Sequence, residues 1–200
     1  MPAPFDLLLV VDPRIAGVLD ALAWLGAEAN GERIAVQLRA KDASDVELLH
    51  LAREVAAVQP PMSRLLINGR LALARAIAAD GAHLPESAAS VREARALLLP
   101  GTWVGASCHD EAGVRRRASE GADYVSLGPL GAVPGKPSIT EEVFASIARA
   151  TSVPIVALGG ITSAADADHA LALGASAIAL QRGLLSPAWI PDWLARRHAS

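Results

Sequence analysis

Short apolar runs alternate with longer segments of helical pattern along the chain. The runs are Phe5–Val11, Arg33–Leu38, Arg64–Ile67, Ala82–Leu84, Thr102–Gly105, Tyr124–Leu127, Pro154–Leu158 and Ala177–Leu180. Apolar stretches this short, bounded by turn residues, read as buried strands. Between and after them lie Ala-, Leu-, Arg- and Glu-rich segments: Ile15–Glu28, Ser44–Val58, Leu71–Ala79, Ser87–Leu98, Asp110–Glu120, Thr140–Ala150, Ser163–Leu173 and Pro191–Arg197. Ser44 stands three residues before Glu47, the spacing of a capping box. Thr140 followed by Glu141 and Glu142 places a cap and negative charge at another helix start. Gly81, Gly121 and Gly174 follow Ala-rich helices, where a left-handed residue ends a helix.

The repeat is thus strand then helix, eight times. Near-continuous apolar strands belong to parallel sheets covered on both faces. Eight such units predict an α/β fold, a compact (β/α)8 TIM barrel spanning residues 1–200 as one domain. A doubly wound open sheet has a similar pattern and is the alternative.

Composition narrows the functional classes. The chain has 200 residues, 52% of them hydrophobic, and a net charge of −3. A mixed, apolar-rich chain is not disordered, and without a basic footprint no nucleic-acid partner is expected. Aromatics at 4% leave little for stacking on single strands. The lone Cys108 excludes an intrachain disulfide framework and a cysteine zinc cage. No apolar run reaches the roughly 20 residues of a membrane span, and acidic Asp6 and Asp12 flank Leu7–Val11 where a signal peptide would be basic. The expected location is cytoplasmic, with no membrane partner. Trp189 and Trp193 are candidates for packing on the barrel or in a homodimer.

Barrel chemistry gathers at the C-terminal ends of the strands. Strand one ends at Asp12. Gln37, Arg39 and Lys41 follow strand two at spacing i, i+2, i+4, which points them the same way. Two cations there, with no interleaved acid, suit an anion; a structural ion-pair network at the strand end is the alternative. Strand three ends in Asn68–Gly69–Arg70, which alone reads as a turn, and strand four at His83. Ser107 and His109 share a face after strand five, as a polar pair lining a pocket. Cys108 alternates away from them as a small buried hydrophobe. Lys136 lies in a Gly/Pro-rich loop after strand six, where it reads equally as a point charge for a phosphate and as a solvated surface lysine. Gly159–Gly160 and Gln181–Arg182–Gly183 end strands seven and eight, the usual phosphate-binding corner of such barrels.

In order and spacing, several motifs together resemble the thiamine-phosphate synthase/TenI superfamily. They are Gln37–Leu38–Arg39–Ala40–Lys41, Ile67–Asn68, His83–Leu84, Gly105–Ala106–Ser107–Cys108–His109, Gly121–Ala122–Asp123–Tyr124, Gly128–Pro129 with Lys136–Pro137, and Ala157–Leu158–Gly159–Gly160–Ile161. The resemblance implies a compact (β/α)8 barrel. In a synthase it implies coupling of a hydroxymethylpyrimidine pyrophosphate to a thiazole phosphate. Gln37, Arg39, Lys41 and Asn68 would contact the pyrimidine pyrophosphate, and Ser107 and Lys136 the leaving pyrophosphate. Gly159, Gly160, Gln181 and Arg182 would hold the thiazole phosphate. The synthases carry metal-binding aspartates where this chain has Gly69 and Ala88. Asn68–Gly69–Arg70 and His83–Leu84–Pro85 look closer to the TenI branch, some of whose members are thiazole tautomerases. Their acid/base histidine falls where this chain has Pro129. The expectation is a TenI-like protein binding a thiazole phosphate, with Ser107, His109 and Lys136 as candidate catalytic residues. It has no metal ligands, and needs Mg2+ only if it is a synthase. A synthase and a non-catalytic binding or regulatory barrel are the alternatives.

Overall fold

The computed structural model describes residues 3–135 and 137–198. Eight parallel strands close in chain order, the last pairing with the first. They are β1 (Leu7–Val11), β2 (Ile34–Leu38), β3 (Arg64–Asn68), β4 (Gly81–Leu84), β5 (Trp103–Cys108), β6 (Tyr124–Leu127), β7 (Ile155–Leu158) and β8 (Ala177–Leu180). The helices are α1 (Val18–Glu28), α2 (Asp45–Val58), α3 (Leu71–Ala76), α4 (Val91–Leu97), α5 (Glu111–Ser119), α6 (Glu141–Ala150), α7 (Ala164–Ala172) and α8 (Ile190–His198). The closed barrel bears out the repeat and excludes the open sheet.

Two apolar clusters follow from the two-residue period of the strands. Outward residues such as Leu7, Leu9, Ile34 and Val36 pack under Leu22, Leu25, Leu48 and Val55 of the helices. Inward residues Leu8, Ala35, Leu66, Tyr124, Val156 and Ala177 fill the barrel. Phe5 closes its N-terminal end, edge-on to Tyr124 with ring centroids 4.9 Å apart. One layer above Tyr124 the inward set turns polar, through Gln37, Asn68, His83, Ser107 and Ser126. The apolar floor therefore ends where the C-terminal mouth begins.

Several local expectations change. The Ser44 hydroxyl accepts from the Glu47 N–H, but the Glu47 carboxylate lies 3.7 Å from Arg14 rather than closing a box. Reciprocal boxes form instead at Ser90 with Glu93 and at Ser163 with Asp166. Gly121 and Gly174 are left-handed, but Gly81 is not. It lies within β4, where a Cβ would strike Leu66 and the Trp103 carbonyl. Trp189 and Trp193 pack on each other at 6.0 Å, and the Trp193 Nε1–H donates to Asp168.

Asp6 ties the chain ends together beneath the barrel. Its buried carboxylate accepts from Arg33 at 3.0 Å and from Arg197 of α8 at 3.1 Å. Burial works to raise this carboxyl, but the two arginines outweigh it and hold it below the ordinary 3.8. A carboxyl depressed on folding contributes stability above its unfolded pKa and loses it as pH falls through the folded value. Asp6→Asn is expected to cost roughly 1–3 kcal/mol at neutral pH. In denaturant titrations the gap to the parent should narrow below about pH 4, and a pH-independent gap would contradict this.

Candidate active site at the barrel mouth

The polar layer opens into two adjoining cavities of about 530 and 320 Å3. His109, Leu158, Ala179 and Gln181 border both. Gln37, Arg39, Lys41, Asn68 and Ser107 lie on the larger, and Gly159, Gly160 and Arg182 on the smaller. Apart from Asp12, the structure thus gathers every described candidate residue at one mouth. Lys136 lies outside the described residues.

Cations dominate the larger cavity. The side chains of Arg39 and Lys41 make no ion pair with a described carboxylate, so their charge faces the mouth. Arg70, which the sequence left as part of a turn, joins them on the wall. It is partly engaged, donating to the Ala43 carbonyl at 3.1 Å and lying 3.7 Å from Asp45. Asp12 belongs elsewhere: Arg14 grips both its oxygens at 2.8–2.9 Å and holds the carboxyl below its ordinary value. The Gln37 amide donates to the Asn68 side-chain oxygen at 2.9 Å, fixing both amides as a rigid polar edge.

Ser107 pairs with a different histidine from its sequence neighbour. Its hydroxyl lies 2.9 Å from Nε2 of His83, whose Nδ1 lies 3.0 Å from the Tyr124 hydroxyl. His83 reaches across because the residue beside it on β5 is Gly105, and a Cβ on Gly105 would overlap the Tyr124 ring. Burial, with Arg39 and Arg117 nearby, pushes His83 down to about 3. It is neutral at physiological pH. His109 turns outward, 2.6 Å from the Gly128 carbonyl through Nδ1 and 3.7 Å from Glu86 through Nε2. Cys108 is buried and its thiol is raised to about 12, chiefly by burial, so it is inert at neutral pH.

The smaller cavity is built of backbone. Gly159 and Gly160 have φ of 102° and 75°. They also lie against the loop after β6: a Cβ on Gly159 would stand 2.6 Å from Pro129, and one on Gly160 2.6 Å from Gly131. The Leu130 and Gly131 amides donate to Leu158 and Gly159 carbonyls and join the two loops. The glycines are therefore required by loop packing as well as by access. Among the described residues, the Gly160 and Gly183 amides donate to no acceptor. Backbone N–H groups in such a corner suit a phosphate.

Arg117 was hidden in the run Arg115–Arg116–Arg117. It is 2% exposed and donates to Ala89 and Glu86 carbonyls at 2.9 and 3.1 Å and to Glu120 at 3.0 Å. It anchors the loop after β4 that carries Glu86 to the mouth.

The comparisons agree with this architecture. A thiamine phosphate pyrophosphorylase from Pyrococcus furiosus superposes with a TM-score of 0.81, covering 97% of this chain and 95% of that one at 21% identity. The thiamine-phosphate synthase of Thiobacillus denitrificans is 39% identical over 82% of this chain and 79% of its own length. That of Methanoculleus marisnigri is 36% identical over 88% of this chain and 85% of its own. The family model described as thiamine monophosphate synthase (TMP-TENI) matches residues 7–184. The chain belongs to the thiamine monophosphate synthase family.

Proposed function

We propose that the chain is a thiamine-phosphate synthase that joins a hydroxymethylpyrimidine pyrophosphate to a thiazole phosphate. The division of the mouth carries this reading. A half lined by the cations Arg39 and Lys41 opens into a half lined by Gly159, Gly160 and Gly183, with Gln181 bordering both. The first suits a diphosphate and the second a monophosphate, the two anionic ends the coupling brings together. The names of the relatives support the same activity. Sequence alone puts a TenI-like thiazole-phosphate-binding protein first; these two observations favour the synthase.

The coupling breaks the C–O bond between the pyrimidine methylene and the diphosphate, and the bonding electrons leave with pyrophosphate. The thiazole nitrogen lone pair then forms the C–N bond to that methylene carbon. Arg39 and Lys41 would offset charge growing on the leaving oxygens, and fixed donors lower such a barrier because they need no reorganisation. Ser107 would add a hydroxyl donor. The Gln37–Asn68 edge would orient the pyrimidine, and the Gly160 and Gly183 amides with Gln181 and Arg182 the thiazole phosphate. Lys136 is retained as a pyrophosphate contact on its motif alone.

The donor set does not fit a protein-held Mg2+. Such sites use carboxylates together with substrate phosphates. Among the described residues the larger cavity is lined by one carboxylate, Glu86, which stands beside His109. No group of three potential ligands occurs among those residues. Inorganic pyrophosphate is therefore expected to bind with the same affinity in chelator as in Mg2+. An affinity that collapses in chelator would contradict the cation-only reading. For the activity, purified protein is incubated with both substrates, with and without Mg2+. Thiamine phosphate is the expected product, and none in either condition would overturn the synthase assignment.

One observation favours a second reading. His109 borders both cavities with its Nε2 near Glu86, a place from which it could move a proton on a thiazole phosphate. Faster aromatisation of the thiazole carboxylate phosphate tautomer than in buffer would support a tautomerase. Binding of thiazole phosphate without turnover in either assay would leave a non-catalytic barrel.

A further inference from the structure

Tyr124, His83 and Ser107 form a chain of polar groups running from the sealed barrel floor to the mouth. Tyr124 is fully buried and His83 is 2% exposed, while Ser107 lines the larger cavity. The proton positions along this chain can be deduced. Among the described residues the Tyr124 hydroxyl has one partner, Nδ1 of His83 at 3.0 Å. A buried phenol O–H left without an acceptor is costly, so the phenol donates and Nδ1 carries no proton. A neutral imidazole bears its proton on one nitrogen only, which places it on Nε2. The Nε2–H then donates to the Ser107 oxygen at 2.9 Å. Ser126 stands at 3.5 Å from the same nitrogen, a weaker second acceptor. With its oxygen accepting from histidine, Ser107 keeps its own O–H for the cavity.

We propose that Tyr124 and His83 are positioning residues that set Ser107 as a hydrogen-bond donor into the mouth, suited to a phosphate or diphosphate oxygen. This rests on the reading of the larger cavity as the diphosphate half. The opposite tautomer would leave the phenol proton without an acceptor and turn the serine proton toward the imidazole. The arrangement also separates Ser107–His83 from a nucleophilic pair. A histidine that activates a serine must accept its proton, and here Nε2 already carries one. The low pKa of His83 agrees, since it removes the doubly protonated ring at neutral pH.

The test has two arms. In protein labelled with 15N-histidine, long-range 1H–15N correlation at neutral pH should give the Nε2–H tautomer for His83, assigned by its loss in His83→Gln. An Nδ1–H or cationic ring would overturn the proposal, whatever the activity. The second arm titrates inorganic pyrophosphate by calorimetry. Ser107→Ala should weaken it about 10–100-fold, the usual worth of a hydrogen bond to a charged group. Tyr124→Phe keeps the ring and should weaken it in the same direction, yet add nothing in the Ser107→Ala background. A Tyr124→Phe variant with lowered Tm and unchanged affinity, or one whose effect persists without Ser107, would overturn the relay. The expected tautomer with Ser107→Ala binding as the parent would instead refute the diphosphate reading, and the relay's role in binding with it.

Discussion

Arg117→Met is expected to lower the free energy of unfolding by about 3–5 kcal/mol, the cost of removing one partner from a buried charged network. Arg117 is 2% exposed. Its guanidinium donates within 2.9–3.4 Å to carbonyls of Pro85, Glu86, Ala88 and Ala89, and to Glu120. Methionine can fill the channel but leaves those carbonyls without a donor. Glu120 keeps the Val91 N–H at 2.9 Å and loses its charge partner. Arg117→Lys should recover only part of the loss, because a compact ammonium cannot span the fork. Because the same carbonyls belong to the loop carrying Glu86, pyrophosphate affinity should also change. Denaturant titration checks the first effect and calorimetry the second. A loss below about 1 kcal/mol, typical of an exposed pair, would contradict the anchoring role.

Arg39→Ala is expected to raise the Kd for inorganic pyrophosphate by about 10–100-fold, because a hydrogen bond to a charged group is worth roughly 1.5–3 kcal/mol. Thiazole phosphate should be affected much less. Arg39 lines the larger cavity, whereas Gly159, Gly160 and Arg182 line the smaller one. Arg39→Lys should restore part of the affinity by returning a point charge without the planar fork. Calorimetry with each ligand separately reads both effects. Equal loss for the two ligands would show that the mouth is one undivided anion site.

The barrel was legible because its strands are buried on both faces, so apolar runs such as Leu7–Val11 and Ile34–Leu38 stand out against Ala-rich helices. The mouth was legible for a related reason: polar residues at i, i+2 spacing, as at Gln37 and Arg39, break an otherwise apolar face. What escaped sequence reasoning depends on neighbours from other strands. Ser107 and His109 are two apart in the chain, yet the imidazole that reaches Ser107 comes from β4, over the space left by Gly105. Arg117 sits in a basic run that reads as a solvated face. Only its position three residues after the buried Val114 hints that it turns inward. Gly81 looked like a helix end, but its requirement is the close approach of Leu66 and Trp103. The two anion sites, separable on paper, share His109 and Gln181 in space.

The central claim is that one mouth takes two anionic ligands side by side. Its most direct test is calorimetric titration of thiazole phosphate into protein already saturated with inorganic pyrophosphate. Binding of one equivalent, with pyrophosphate retained, is the expected result. Displacement of pyrophosphate by thiazole phosphate would contradict the claim.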